Sequence, residues 1–109
     1  MSQTLAIVQG LLERGEYLVT RHGYRELAAD DILVDEVVAG IESAVVVEDY
    51  PYSRKEPSVL VLQRDRSGRP VHVMWGVPKI SGTPAVLVTA YRPAPERWSP
   101  DFMKRKKPE

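Results

Sequence analysis

The stretch Ser58-Val59-Leu60-Val61-Leu62-Gln63-Arg64-Asp65-Arg66-Ser67-Gly68-Arg69-Pro70-Val71-His72-Val73-Met74-Trp75-Gly76-Val77 decides the fold. Runs rich in β-branched and aromatic residues flank a polar five-residue loop, which predicts strands over Ser58 to Arg64 and Pro70 to Val77. Gly68 gives the loop Asp65 to Arg69 the positive φ that closes a hairpin. In the second of these strands Val71, Val73, Trp75 and Val77 point one way and form the expected core face. His72 and Met74 point the other way, where a half-covered sheet presents His72 to a ligand or to a helix.

Outward from this hairpin the same grammar predicts strands over Ala44 to Asp49 and Ala85 to Arg92, with Ser81-Gly82-Thr83-Pro84 as the last turn. Strict alternation in the final strand places Leu87, Thr89 and Tyr91 on one face and Val86, Val88 and Ala90 on the other. Before Gly40 the spacing is helical instead. Leu5, Val8 and Leu12, widened by Ile7 and Leu11, predict a helix over residues 3 to 14, stopped by Gly15. Thr20 is placed as the N-cap of a second helix through Arg25 to Ala28, which Gly23 weakens. Ile32, Val34, Val37, Val38 and Ile41 suggest a third, with Asp30, Asp31, Asp35 and Glu36 near its start and Gly40 at its end. Arg92-Pro93-Ala94-Pro95 ends the sheet, and a basic C-terminal tail over 97–109 is expected to be partly helical around Phe102. The expectation is an α+β fold with N-terminal helices packed on a four-stranded antiparallel sheet, a single domain over 1–109 with its core about residues 3–93.

Composition narrows the chemistry. The 109 residues include no cysteine and two histidines, so no disulfide framework, thiolate site or closed zinc site is expected, and neither metal nor cofactor is implied. No apolar run approaches the roughly 20 residues of a membrane span, and no signal peptide pattern opens the chain, so a cytoplasmic protein is expected. Zero net charge conceals an asymmetry. Residues 1–53 carry three basic and ten acidic side chains, a net −7, whereas residues 54–109 carry twelve and five, a net +7. Such a split either gives a positive face for an anionic partner or draws the two halves together on folding. The seven glycines form no phosphate loop, and no serine nucleophile elbow is present.

Two clusters carry possible chemistry. His22 and Arg25 share a face of the second helix with Glu26 one turn from His22, a set suited to phosphodiester chemistry but also common on solvated helices. His72 would share a polar concavity with Thr89, Tyr91 and Arg92 if the strand register allows; each is also an ordinary packing residue. The run Lys104-Arg105-Lys106-Lys107 reads either as a solubilising chain end or as a phosphate-binding arm.

Tyr17 to Arg25, Ile32 and Val37, Glu48 to Pro51, Gly68 to Val73, and Thr89 to Pro93 with Trp98 resemble, in order, the bacterial family named for domain of unknown function 4258. Its members are regarded as similar to the RelE and barnase-like small ribonucleases, many of them toxins of toxin–antitoxin pairs that cut RNA without metal. The resemblance implies His22, Arg25, His72 and Tyr91 as catalytic candidates. Arg69, Lys79, Arg92, Lys104 and Arg105 are the candidate RNA-phosphate contacts. Ala29 and Asp30 stand where a basic residue is common in the family, and Leu33 where a hydroxyl cap is usual. In the reaction this implies, one histidine takes the ribose 2′-OH proton and the other, or Tyr91, protonates the leaving oxygen, which requires both imidazoles within roughly 10 Å. RNA and a cognate antitoxin are the expected partners of that enzyme. The rival readings are a non-catalytic RNA- or protein-binding module and a homo-oligomer paired through strand edges.

Overall fold

A computed structural model describes residues 2–107; Pro108 and Glu109, the end of the expected basic tail, lie outside the described residues, as does Met1. Helix α1 (Gln3–Glu13) starts on Ser2, whose Oγ accepts from the Leu5 N–H at 3.1 Å, and turns Leu5, Val8, Leu11 and Leu12 into the core. Gly15 ends it at φ +74°, a backbone angle that costs glycine little. Strand β1 (Tyr17–Val19) follows, then α2 (Arg21–Ala29) and α3 (Val34–Ala39). Thr20 caps α2 as its sequence position implies, its Oγ1 accepting from the Gly23 N–H at 2.9 Å. Leu33 opens α3 with no side-chain cap bond, so α3 is shorter than the hydrophobic spacing suggests, and Ile41 falls in a separate 3-10 turn over Ile41–Ser43.

Strands β2 (Val45–Tyr50), β3 (Ser58–Arg64), β4 (Pro70–Gly76) and β5 (Ala85–Tyr91) form the antiparallel meander. The sheet has five strands, in the order β1-β5-β4-β3-β2, and is mixed. The expected four-stranded antiparallel sheet is corrected by β1, which pairs parallel with β5 through Tyr17↔Ala85 and Val19↔Leu87. Three residues cannot show alternation, and their partner strand lies almost 70 positions downstream.

All three helices lie on one face of the sheet, where Val59, Val61, Val71, Val73, Trp75, Ala85, Leu87 and Ala90 join Leu5, Val8, Leu11, Leu12, Leu27, Val37 and Ile41 in one core. A bulge in β5 corrects the strict alternation. Met74 pairs with Thr89 but Trp75 with Leu87, so Val88 is the extra residue. Leu87 therefore enters the core, while Thr89 and Tyr91 stand on the far face beside Met74 and His72.

That far face is covered rather than open. Leu60 is 1% exposed, His72 0% and Trp98 4%. The covering piece is the C-terminal segment, which is neither helical nor loose as the sequence suggested. Residues 97–106 double back on themselves through the Trp98↔Arg105 bridge, Ser99 N–H to Lys104 O at 2.8 Å, and Lys106 N–H to Arg97 O at 2.8 Å. The turn is held by the Asp101 carboxylate, which accepts from the Ser99 hydroxyl at 2.6 Å and the Met103 N–H at 3.1 Å.

Gly23 tests how tightly α2 sits on β5. Alanine normally favours a helix interior over glycine by about 1 kcal/mol. Here an added Cβ would lie 2.9 Å from the Leu87 carbonyl oxygen and 3.1 Å from Leu87 Cδ2, so the sign reverses. Gly23→Ala is expected to destabilise the protein by about 1–3 kcal/mol, read as a lower urea midpoint with an unchanged slope; an unchanged or higher midpoint would refute the close approach.

Candidate functional site

The structure divides the nine candidate residues by face and end of the sheet. β4 places His72 directly opposite Tyr91 of β5. Its Nε2 lies 2.9 Å from the Phe102 carbonyl oxygen and its Nδ1 3.2 Å from the Tyr91 hydroxyl. Trp98 stands edge-on to the imidazole at 4.4 Å between centroids. Since a carbonyl only accepts, Nε2 carries the proton, Nδ1 is bare, and the Tyr91 O–H donates to it. Burial holds the His72 pKa below its ordinary value, against the opposing pull of the Phe102 bond and the Glu48 charge. Burial likewise holds the Tyr91 phenol above its ordinary value. At neutral pH both partners of this pair are uncharged.

While Tyr91 stays half-buried, Arg105 fastens the C-terminal segment over His72. Its Nε and Nη2 donate to Glu48 Oε2 and Oε1 at 2.8 and 3.0 Å, and its guanidinium lies 4.8 Å from the Trp98 ring centroid. The hydrogen bond from Arg105 holds Glu48 below the usual carboxylate range, and the reciprocal bond raises Arg105.

Arg92, at the end of β5, is a clasp. Its Nη2 meets Asp65 Oδ2 at 2.9 Å in a contact where both side chains are largely buried. The same Nη2 also donates to the Asp31 carbonyl, Nε and Nη1 donate to the Asp30 and Pro70 carbonyls, and the backbone N–H donates to Asp30 Oδ2 at 2.8 Å. One guanidinium thus ties the end of α2, the β3–β4 hairpin and β5 together. The Asp65 carboxyl lies below its ordinary pKa, held there first by the Arg69 N–H and further by Arg92.

Between the end of β5 and the doubled-back segment opens a cleft of about 910 Å³. Tyr91, Arg92, Ala94, Glu96, Arg97, Trp98, Arg105, Lys106 and Lys107 line it. Five cations and one carboxylate surround a tyrosine. Arg97, Lys106 and Lys107 have no carboxylate partner among the described residues. Sequence reasoning selected Tyr91, Arg92 and Arg105 of this set. It passed over Arg97, which stands outside the Lys104-to-Lys107 run, and did not foresee that Asp65 and Glu48 engage Arg92 and Arg105. The acidic-then-basic split of the chain is a signal for Glu48 with Arg105, whereas Asp65 and Arg92 both lie in the basic half and no sequence pattern pairs them.

The other candidates do not converge here. His22 lies on α2, on the opposite face of the sheet from His72, with its side chain 63% exposed and 3.8 Å from Glu26. Arg25 is exposed on the same helix. The expected meeting of two imidazoles at one phosphate is therefore corrected. The second helix packs its Gly23 and Leu27 side against the core, which leaves His22 in solvent, while the sheet and the C-terminal segment enclose His72 from the other side. Lys79 sits at the far end of the sheet, donating to the Arg54 carbonyl at 3.1 Å. Arg69 is exposed in the β3–β4 turn, and Lys104 is exposed in the C-terminal loop. Among the described residues no group of three metal-ligating side chains is assembled, and no helix is long and apolar enough to cross a membrane.

The profile of the family described as Domain of unknown function (DUF4258) matches residues 19–92, which include α2, α3 and all of the meander. No curated protein and no solved structure shows a significant match.

The buried imidazole has a signature in pH. The unfolded chain binds a proton at His72 near the ordinary histidine pKa of about 6.5, whereas the folded protein binds it only at lower pH. Stability due to His72 is thus complete above that value and falls as pH drops through it toward the folded pKa. The urea midpoint of the wild type is expected to decline between about pH 7 and 5, and His72→Gln to lose most of that decline. A slope retained in the variant would show that His72 is not the group responsible.

Proposed function

The chain belongs to the DUF4258 family, and on that premise we propose that it binds the phosphate backbone of a nucleic-acid strand in the basic cleft without cleaving it. The observation that carries this reading is the convergence of Arg92, Arg97, Arg105, Lys106 and Lys107 on one open cleft. Cationic side chains neutralise phosphates and release condensed counterions, a binding term that does not depend on base sequence. Two of the five guanidinium and ammonium groups are already engaged by Asp65 and Glu48. Arg97, Lys106 and Lys107 are the three that remain to meet phosphates.

Metal-independent cleavage of the RelE type is the alternative that the family resemblance raises. It needs a base and an acid on either side of the reacting phosphate. His72 has both nitrogens engaged and no exposed surface, and His22 is on the other face of the sheet. The geometry therefore favours binding.

For three phosphate contacts on a single strand, log affinity should fall against log salt with a slope of about −2. Replacing Arg97, Lys106 or Lys107 singly by Ala should each reduce the slope by about 0.7, and the triple variant should lose most of the binding. Fluorescence anisotropy with a labelled oligonucleotide measures both quantities. Incubation with RNA of the wild type and of His22→Ala should leave the strand intact in each case. Cleavage that is lost in His22→Ala would restore the hydrolase reading, and a salt-independent affinity would remove the electrostatic one.

A further inference from the structure

Every cation lining the cleft offers hydrogen-bond donors only, but Tyr91 is different. The Phe102 carbonyl fixes the proton of His72 on Nε2, which leaves Nδ1 as an acceptor 3.2 Å from the phenol. The single phenolic proton is committed to that nitrogen. What Tyr91 has left for a ligand is its lone-pair capacity. Glu96 is the other side-chain acceptor on the cleft wall, but its negative charge opposes a phosphate beside it. Tyr91 is the neutral one.

A ligand that satisfies this wall presents anionic oxygens to the guanidinium and ammonium groups and, next to them, a hydroxyl that donates. In a nucleic-acid backbone the group of that description is the ribose 2′-OH adjoining its phosphate, which DNA lacks. We propose that Tyr91 is the specificity-determining residue of the cleft and selects RNA over DNA by accepting a hydrogen bond from a ribose 2′-OH, with His72 as the positioning residue that holds the phenol in its acceptor role. This inference rests on the reading that the cleft holds a nucleic-acid backbone. It goes beyond it by naming the sugar and the residue that reads it.

Anisotropy titrations of the full chain with three labelled 12-mers of the same base sequence test it: RNA, DNA, and RNA whose 2′-OH groups are replaced by fluorine. The fluorinated strand keeps an RNA-like sugar shape and can accept a hydrogen bond but not donate one. RNA is expected to bind about tenfold more tightly than either of the others, the effect of one well-formed hydrogen bond. Tyr91→Phe should bring all three strands to one affinity while leaving the salt slope unchanged. The fluorinated comparison uses wild-type protein, so it decides the matter even if Tyr91→Phe fails to fold. Equal binding of RNA and its fluorinated form, or an RNA preference that survives in a folded Tyr91→Phe, would overturn the assignment of Tyr91 while the backbone reading stands. Failure of every strand to bind would overturn both.

Discussion

His72 is withdrawn from water altogether, and an imidazole in that position needs a partner for each ring nitrogen or costs more than its packing returns. Phe102 and Tyr91 meet that demand, one from the C-terminal segment and one from β5. The consequences spread from there. Fixing the segment on the far face buries Trp98 beside the ring and places Arg105 against Glu48. The space left between the end of β5 and the folded-back segment is the cleft. The same hydrogen bond that anchors the cover also decides which way the Tyr91 proton points, so packing and ligand preference share one origin.

The charge asymmetry of the chain is used twice. Acidic groups of the first half meet basic groups of the second at Glu36 with Arg66 and Glu48 with Arg105. These contacts draw the two halves together around the sheet. The basic half has a surplus, and Arg97, Lys106 and Lys107 gather that remainder on one side of the molecule. The two readings of the asymmetry are therefore complementary: part of the charge closes the fold, and the rest provides a positive surface.

Some elements were legible because their signals are local. The hairpin around Gly68 follows from two β-branched runs and one residue free to take positive φ, and Gly68 indeed sits at φ +82°. Thr20 was readable as a cap because its hydroxyl bonds a neighbour three residues on. The bulge at Val88 was not readable, since the sequence Ala85 to Tyr91 alternates as well without it as with it. Its effect is large: it moves Leu87 into the core and leaves Tyr91 on the face of His72. The candidate site was read in part. Tyr91 and His72 do share a face, but an imidazole expected to face a ligand or a helix is instead covered by a segment some 30 residues further along the chain.

The sequence by itself determined the α+β class, the meander of four antiparallel strands and the Thr20 cap, because each depends on residue spacing within a dozen positions or so, and the family, which several such stretches in order carry. Tertiary structure alone decided that β1 joins the sheet, that His22 and His72 lie on opposite faces, and that the basic tail folds back to make a cleft. These outcomes depend on which distant groups meet when apolar surface is buried. Hydrogen-bond partners for a buried ring are chosen by three-dimensional proximity, and no local period in the chain records that choice.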